Sequence, residues 1–121
     1  MSPPQPVESG RSITLVAIDD DTEVLEFILD ALRLESLRIL TFTDPAEGMR
    51  CVSREQPEIV LLDLVLPGVS GMELLERILS FAPRTNVILI TGHYSTESAV
   101  EAIQKGASDY LNKPLSIVVL R

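Results

Sequence analysis

Residues 59–63 read Ile59-Val60-Leu61-Leu62-Asp63, an apolar run that ends in a carboxylate. A run that is apolar at every position is typical of a strand buried on both faces of a parallel sheet. Four other short runs in the chain are apolar at all or nearly all positions: Ile13–Ile18, Ile39–Phe42, Val87–Ile90 and Tyr110–Leu111. The sequence therefore predicts five buried strands.

In chain order, each of the first four runs is followed by a longer amphipathic segment. Asp44-Pro45 and Ser70-Gly71 are typical of helix starts, because each supplies a side-chain oxygen to cap the first turn. Lys105-Gly106 is typical of a helix end. Apolar side chains at helical spacing predict the buried stripes of the first and fourth helices: Val24, Phe27, Ile28, Ala31 and Leu32, then Ala99, Val100 and Ile103.

Strands that alternate with helices and short connections predict an α/β fold. Right-handed crossovers then place helices on both faces of one sheet. We expect a doubly wound, five-stranded parallel sheet of the flavodoxin-like type. In such folds the ligand site lies beyond the carboxyl ends of the strands, where the strand order reverses.

The length and the charge limit the possible functions. The chain has 121 residues, which suits one domain, and 18 acidic against 10 basic residues give a formal net charge of −8. This balance argues against direct binding of nucleic acid or of an anionic membrane surface. A single cysteine fits a reducing compartment. The sequence also has no apolar stretch of about 20 residues and no signal peptide, so we expect a cytoplasmic protein.

Polar side chains follow the predicted strands. Asp19 and Asp20 come after the first strand, Asp63 after the third, Thr91 after the fourth and Lys113 after the fifth. If the first and third strands are neighbours, the three carboxylates converge and need a cation, for which Mg²⁺ is suited. With a lysine and a hydroxyl beside them, they fit phosphoryl transfer onto a carboxylate.

Each of these residues has a simpler interpretation when it is taken alone. A run of aspartates after a strand often caps the next helix. Thr91 is β-branched and could close a strand, and Lys113 could be a solvated lysine. The order of the residues and their common place at strand ends favour the phosphoryl-transfer hypothesis.

The chain resembles the receiver domain of two-component response regulators from about Ser12 to Leu115. Four separated motifs carry the resemblance: Val16 to Asp21, Leu62 to Gly71, Ile90-Thr91-Gly92 and Lys105 to Leu115. The segment from Thr91 to Ala102 is similar to receivers attached to sigma-54-dependent transcriptional activators. Receivers of hybrid histidine kinases share much of this pattern and are the alternative.

The resemblance implies a role for each residue at the strand ends. Asp63 would accept the phosphoryl group from a phosphohistidine of a sensor kinase. Asp19, Asp20, Asp63 and the backbone carbonyl of Val65 would hold Mg²⁺. Lys113, before a cis bond to Pro114, would pair with the phosphoryl group, and Thr91 with Tyr110 would form the switch pair.

The same resemblance implies the domain organisation. We expect an irregular leader over residues 1–12 and a receiver over residues 13–121. The family has a full fifth helix where this chain has only Ser116 to Arg121, so we expect that helix to be incomplete and an output domain, active in transcription, to lie beyond it. In the family, the fourth helix, fifth strand and fifth helix form a homodimer face. Ser70 and Leu115 depart from the family's usual aspartate and aromatic residue.

Two other functions compete with the receiver hypothesis. A haloacid-dehalogenase-type phosphatase also uses a strand-end aspartate with Mg²⁺, but its motif needs a threonine where this chain has Glu23. A receiver-like module without phosphorylation is disfavoured because all five expected active positions are intact. The sequence therefore predicts a phosphoacceptor regulatory domain and not a turnover enzyme beyond its own phosphoryl transfer and dephosphorylation.

Overall fold

The computed structural model describes residues 13–33 and 35–116, in which five parallel strands alternate with four helices. The predicted leader over residues 1–12 and the C-terminal residues 117–121 lie outside the described residues. The elements in chain order are β1 (Ile13–Ile18), α1 (Thr22–Leu32), β2 (Leu37–Phe42), α2 (Pro45–Glu55), β3 (Ile59–Asp63), β4 (Val65–Leu66), β5 (Val69–Ser70), α3 (Gly71–Phe81), β6 (Asn86–Thr91), α4 (Thr96–Gln104) and β7 (Asp109–Asn112).

The central sheet has the strand order β2-β1-β3-β6-β7, and every pairing in it is parallel. The chain crosses from β2 on one edge over β1 to β3, so the strand order reverses between β1 and β3. This confirms the predicted doubly wound fold. A ligand site is therefore expected beyond the carboxyl ends of these two strands.

Alternate residues of the central strands supply two separate cores. Val16 of β1 and Val60 of β3 pack in one core with α2, α3 and Ala102 of α4. Leu15 of β1 and Leu61 of β3 pack in the other core with α1. Helices thus cover both faces of the sheet, as predicted, and successive side chains of each strand point to opposite faces.

The predicted helix caps are confirmed. Asp44 accepts a hydrogen bond from the Ala46 N–H, with Pro45 in the first turn of α2. Ser70 likewise accepts from the Met72 N–H at the start of α3. Gly106 follows α4 with a φ of +105°, a conformation that a residue without a side chain adopts freely.

Two of the predicted helix stripes are partly wrong. In α1 the buried residues are Leu25, Ile28, Ala31 and Leu32, while Phe27 is exposed. In α4, Ala102 is buried, whereas Val100 and Ile103 are about half exposed. The strand β2 begins two residues earlier than predicted and is only half-buried, because it forms an edge of the sheet.

Within the described part of the chain, no helix is both long enough and apolar enough to cross a membrane.

Candidate functional site

The register of the sheet brings the predicted site residues together at the carboxyl ends of its strands. Ile18 of β1 pairs with Leu62 of β3, so Asp19 and Asp63 follow paired positions on adjacent strands. Thr91 ends β6 and pairs with Asn112 of β7, which precedes Lys113. The Lys113 N–H also donates to the Thr91 carbonyl at 2.7 Å. All these residues therefore lie on the side of the sheet where its strands have their carboxyl ends, called the carboxyl edge below.

Three carboxylates meet there. Asp19, Asp20 and Asp63 each offer an oxygen, and these oxygens lie within 4.8 Å of one another. Asp19 and Asp63 are buried, while Asp20 is exposed. Burial and then repulsion from Asp19 raise the pKa of Asp63 from 3.8 to about 6, although the Lys113 ammonium and the Val65 N–H oppose this shift.

Lys113 supplies the positive charge of the site. Its Nζ lies 3.0 Å from Oδ2 of Asp19 and 3.6 Å from Oδ2 of Asp63. Burial alone would lower the pKa of Lys113, but the two carboxylates outweigh it and hold this pKa above its ordinary value. The bond between Lys113 and Pro114 is cis, as predicted.

Thr91 is fully buried at the end of β6. Its Oγ1 accepts a hydrogen bond from the His93 N–H at 3.0 Å, which anchors the start of the following loop. The hydroxyl therefore has a local backbone donor and retains its own proton for another acceptor.

Tyr110 lies in the middle of the register of β7, opposite Leu89 of β6. Tyr110 is buried, with only 8% of its surface exposed, and its hydroxyl has no hydrogen-bond partner among the described residues. The ring centroid lies 5.3 Å from that of Tyr94, with the two ring planes at 60°. This aromatic contact was not predicted from the sequence, since no residue spacing indicates it.

A short hairpin follows Asp63. The strands β4 and β5 pair antiparallel, and the Val65 N–H at its start donates to Oδ1 of Asp63 at 3.2 Å. The Gly71 N–H closes the hairpin by donating to the Leu64 carbonyl at 2.7 Å. The hairpin therefore positions both the backbone and the side chain of Asp63. The metal-ligand role of the Val65 carbonyl stays a prediction.

The donor set at this edge fits a hard divalent cation. Its atoms are all oxygens, and Mg²⁺ is commonly held by one or two carboxylates together with water and phosphate oxygens. Asp19 Oδ2 is buried with the Lys113 ammonium beside it, but it has no aligned hydrogen-bond donor among the described residues. A cation that binds this oxygen would compete with the Lys113 ammonium, and its binding would relieve the repulsion between the carboxylates.

The site is built from charged side chains and not from apolar ones. A groove of about 750 Å³ lies elsewhere, between α2 and α3, and is lined by residues such as Met49, Leu74 and Phe81. None of the carboxylates discussed above lines that groove. The charged groups of the site therefore favour a small ion and a phosphoryl group over an apolar ligand.

Comparison with protein families gives a match to the model described as the response regulator receiver domain, over residues 15–121. The chain is 34% identical over 114 residues to the probable transcriptional regulatory protein TcrX of Mycobacterium tuberculosis, which covers 93% of this chain and 49% of that protein. It is 36% identical over 100 residues to the DNA-binding transcriptional regulator NtrC of Escherichia coli K12, covering 83% of this chain and 21% of that protein. The chain thus spans half or less of the length of these curated relatives.

Among solved structures, the chain is similar to the signal receiver domain of a putative LuxO repressor protein from Vibrio parahaemolyticus. The TM-score is 0.86 at 30% sequence identity, and the match covers 90% of this chain and 84% of that chain. The arrangement of β1 to β7 is therefore shared with that domain.

Proposed function

The chain belongs to the response regulator receiver domain family, and from this membership we propose that it accepts a phosphoryl group on Asp63 from a sensor histidine kinase in a magnesium-dependent reaction. Family membership makes it the receiver domain of a two-component response regulator. The observation that carries the proposal is the meeting of Asp19, Asp20 and Asp63 beside Lys113 at one edge of the sheet.

We assign Asp19, Asp20 and Asp63 as the side-chain ligands of Mg²⁺, together with the Val65 carbonyl. The close approach of three carboxylate oxygens supports this assignment. When bound, the cation neutralises charge on the carboxylates and on the phosphoryl oxygens. It also favours the ionised form of Asp63, whose pKa is raised to about 6 without it.

In the proposed transfer, a carboxylate oxygen of Asp63 attacks phosphorus. A P–O bond forms as the P–N bond of the phosphohistidine breaks, and the electron pair of that bond stays on the imidazole nitrogen. Lys113 neutralises charge on the phosphoryl oxygens, because its ammonium already lies near both buried carboxylates. Attack by water on the phosphorus of the acyl phosphate breaks the P–O bond to Asp63, releases inorganic phosphate and returns the free carboxylate. The proposed domain thus carries out its own phosphorylation and dephosphorylation.

Thr91 and Tyr110 are the proposed switch pair. The Thr91 hydroxyl would turn toward a phosphoryl oxygen, which accepts its proton in a hydrogen bond. The burial of Thr91 at the strand end next to Lys113 supports this role. The resemblance implies that the ring of Tyr110, on the neighbouring strand β7, turns inward in the phosphorylated state, and in this structure the ring is already buried.

We further propose that the receiver extends over residues 13–121 after a leader and controls an output domain beyond it. The greater length of the relatives, two of which are named as transcriptional regulators, supports this organisation. The similarity of residues 91–102 to receivers of sigma-54-dependent activators points to transcription as the output, with a hybrid kinase as the alternative. A homodimer through α4, β7 and a fifth helix, and a cytoplasmic location, stay predictions.

Phosphorylation of the purified protein tests the function. Wild type incubated with acetyl phosphate and Mg²⁺ should gain the mass of one phosphoryl group per chain, and the gain should disappear in Asp63→Asn. The matched control is Asp21→Asn, because Asp21 lies in the same loop but outside the carboxylate cluster. The proposal is wrong if Asp63→Asn gains the same mass or if wild type gains none. Continuous turnover of a phosphomonoester would favour a phosphatase instead.

A further inference from the structure

Tyr94 makes a contact to which the proposed function assigns no role. Its ring is 53% exposed and packs on the buried ring of Tyr110, with centroids 5.3 Å apart and planes at 60°. This tilted geometry is the one in which the edge of one aromatic ring meets the face of another favourably. The two rings therefore attract each other beyond simple burial.

The buried position of Tyr110 needs such support. Its hydroxyl is buried without a hydrogen-bond partner among the described residues, which disfavours the inward position. An opposing attraction must hold the ring inside. Packing of the Tyr110 ring in the core with residues such as Leu89 supplies part of that attraction, and the contact with the Tyr94 ring adds to it.

Tyr94 is also tied to the phosphorylation site through a short stretch of backbone. It lies three residues after Thr91, whose Oγ1 holds the His93 N–H at 3.0 Å. Ser95 follows and accepts from the Ser98 N–H, which caps α4. Because these hydrogen bonds anchor the loop at both ends, we expect a movement of Thr91 to be passed on to Tyr94.

We propose that Tyr94 is a positioning residue that holds Tyr110 in its buried position and thereby couples the loop after Thr91 to β7. The proposal rests on the proposed function, because it deepens the switch assigned to Thr91 and Tyr110. In this arrangement, the ring of Tyr110 already occupies its buried position before phosphorylation. Removing the Tyr94 ring should therefore make the phosphorylated form harder to reach.

The composition of the protein makes the contact directly observable. The chain has two tyrosines and no tryptophan, so labelling with 3-fluorotyrosine gives one fluorine signal for Tyr94 and one for Tyr110. Tyr94→Phe removes the first signal, keeps the ring and so assigns the second. In Tyr94→Ala, the Tyr110 signal should move toward that of a solvent-exposed tyrosine.

Binding of beryllium fluoride with Mg²⁺, as a stand-in for the phosphoryl group, measures the coupling. We expect about 2- to 10-fold weaker binding in Tyr94→Ala, the range that one aromatic pair supplies, and near-normal binding in Tyr94→Phe. Val100→Ala is the matched control, because Val100 is equally exposed, at 50%, on the adjacent helix α4. In a Tyr110→Ala background, Tyr94→Ala should have no further effect.

The outcomes separate this inference from the proposed function. If wild type binds beryllium fluoride and Tyr94→Ala binds it equally or more tightly, the inference is overturned and the proposed function stands. If wild type does not bind it at all, the proposed function fails, and the fluorine signal decides the contact on its own. An unchanged Tyr110 signal in Tyr94→Ala then overturns the inference.

Discussion

Oδ2 of Asp19 lies 3.0 Å from Nζ of Lys113, closer than the 3.6 Å between the same nitrogen and Oδ2 of Asp63. The lysine therefore pairs more closely with Asp19 than with Asp63, the proposed phosphoacceptor. A cation at Asp19 would compete with this ion pair and would free Lys113 for the phosphoryl oxygens.

This competition predicts the effect of removing the lysine. Lys113→Met should bind Mg²⁺ several-fold more tightly than wild type, because a positive charge no longer opposes the cation. The same variant should be phosphorylated more slowly by acetyl phosphate. Titration with Mg²⁺ followed by NMR measures the first effect. Lys105→Met is the control, since Lys105 pairs with Glu76 at 2.8 Å outside the site; weaker Mg²⁺ binding in Lys113→Met would contradict the prediction.

The two exposed aspartates of the first loop should differ in their effects. Asp20 belongs to the carboxylate cluster, whereas Asp21 caps α1 by accepting from the Glu23 N–H at 2.9 Å. Asp20→Ala should weaken Mg²⁺ binding by about tenfold or more, as loss of even an outer partner does. Asp21→Ala should leave Mg²⁺ binding unchanged and lower the free energy of unfolding by about 1 kcal/mol. Calorimetric titration measures the Mg²⁺ affinity, and urea unfolding measures the free energy of unfolding. If Asp20→Ala binds Mg²⁺ as tightly as wild type, Asp20 is not part of the metal site.

The raised pKa of Asp63 predicts a stability effect with a definite sign. Its pKa is about 6 in the folded protein and 3.8 as the ordinary value, so the folded state binds more protons between these pH values. The free energy of unfolding must then fall as the pH rises from about 4 to about 6 because of this group. At pH 7 without Mg²⁺, the ionised Asp63 destabilises the fold.

Asp63→Asn should therefore be more stable than wild type at pH 7, by about 1–3 kcal/mol. The difference should shrink toward pH 4, where Asp63 is protonated. Urea unfolding in the presence of a chelator, repeated across this pH range, measures it. Added Mg²⁺ should stabilise wild type more than Asp63→Asn. A variant less stable than wild type at pH 7 would show that the lysine contact outweighs the repulsion.

Gly71 is required by a close approach of backbones. A Cβ at this position would lie 2.7 Å from the Leu64 Cα and closer still to the Asp63 carbonyl oxygen. Gly71→Ala should lower the free energy of unfolding by about 1–3 kcal/mol and slow phosphorylation, because it displaces Asp63. Gly92→Ala is the control, as a Cβ there meets no atom within 4 Å. If both variants unfold at the same urea concentration, the steric argument fails.

The sequence predicted the sheet well because its strands are apolar at nearly every position. The prediction of buried residues was wrong for helices that carry apolar residues on more than one side. The helix α1 contains both Leu25 and Phe27, and the 3.6-residue period alone does not decide which of them faces the sheet. The hairpin of β4 and β5 was not predicted, since two-residue strands are too short to show a period.

The residues of the candidate site were predictable because parallel strands bring their carboxyl ends to one edge. Asp19, Asp63 and Thr91 therefore needed only the strand order to be placed together. The pairing of Lys113 with Asp19, and the ring contact of Tyr94, depend on side-chain directions within loops. No residue spacing encodes these directions, so only the three-dimensional structure gives them.

The order of the site residues along the chain has a consequence for synthesis on the ribosome. Asp19, Asp20 and Asp63 all precede β6, whereas Lys113 follows β7, the last described strand. A nascent chain therefore contains all three acidic groups before their positive partner has been made. A product that stops before β7 would carry uncompensated repulsion at the edge of its sheet, which favours its unfolding and removal by proteases.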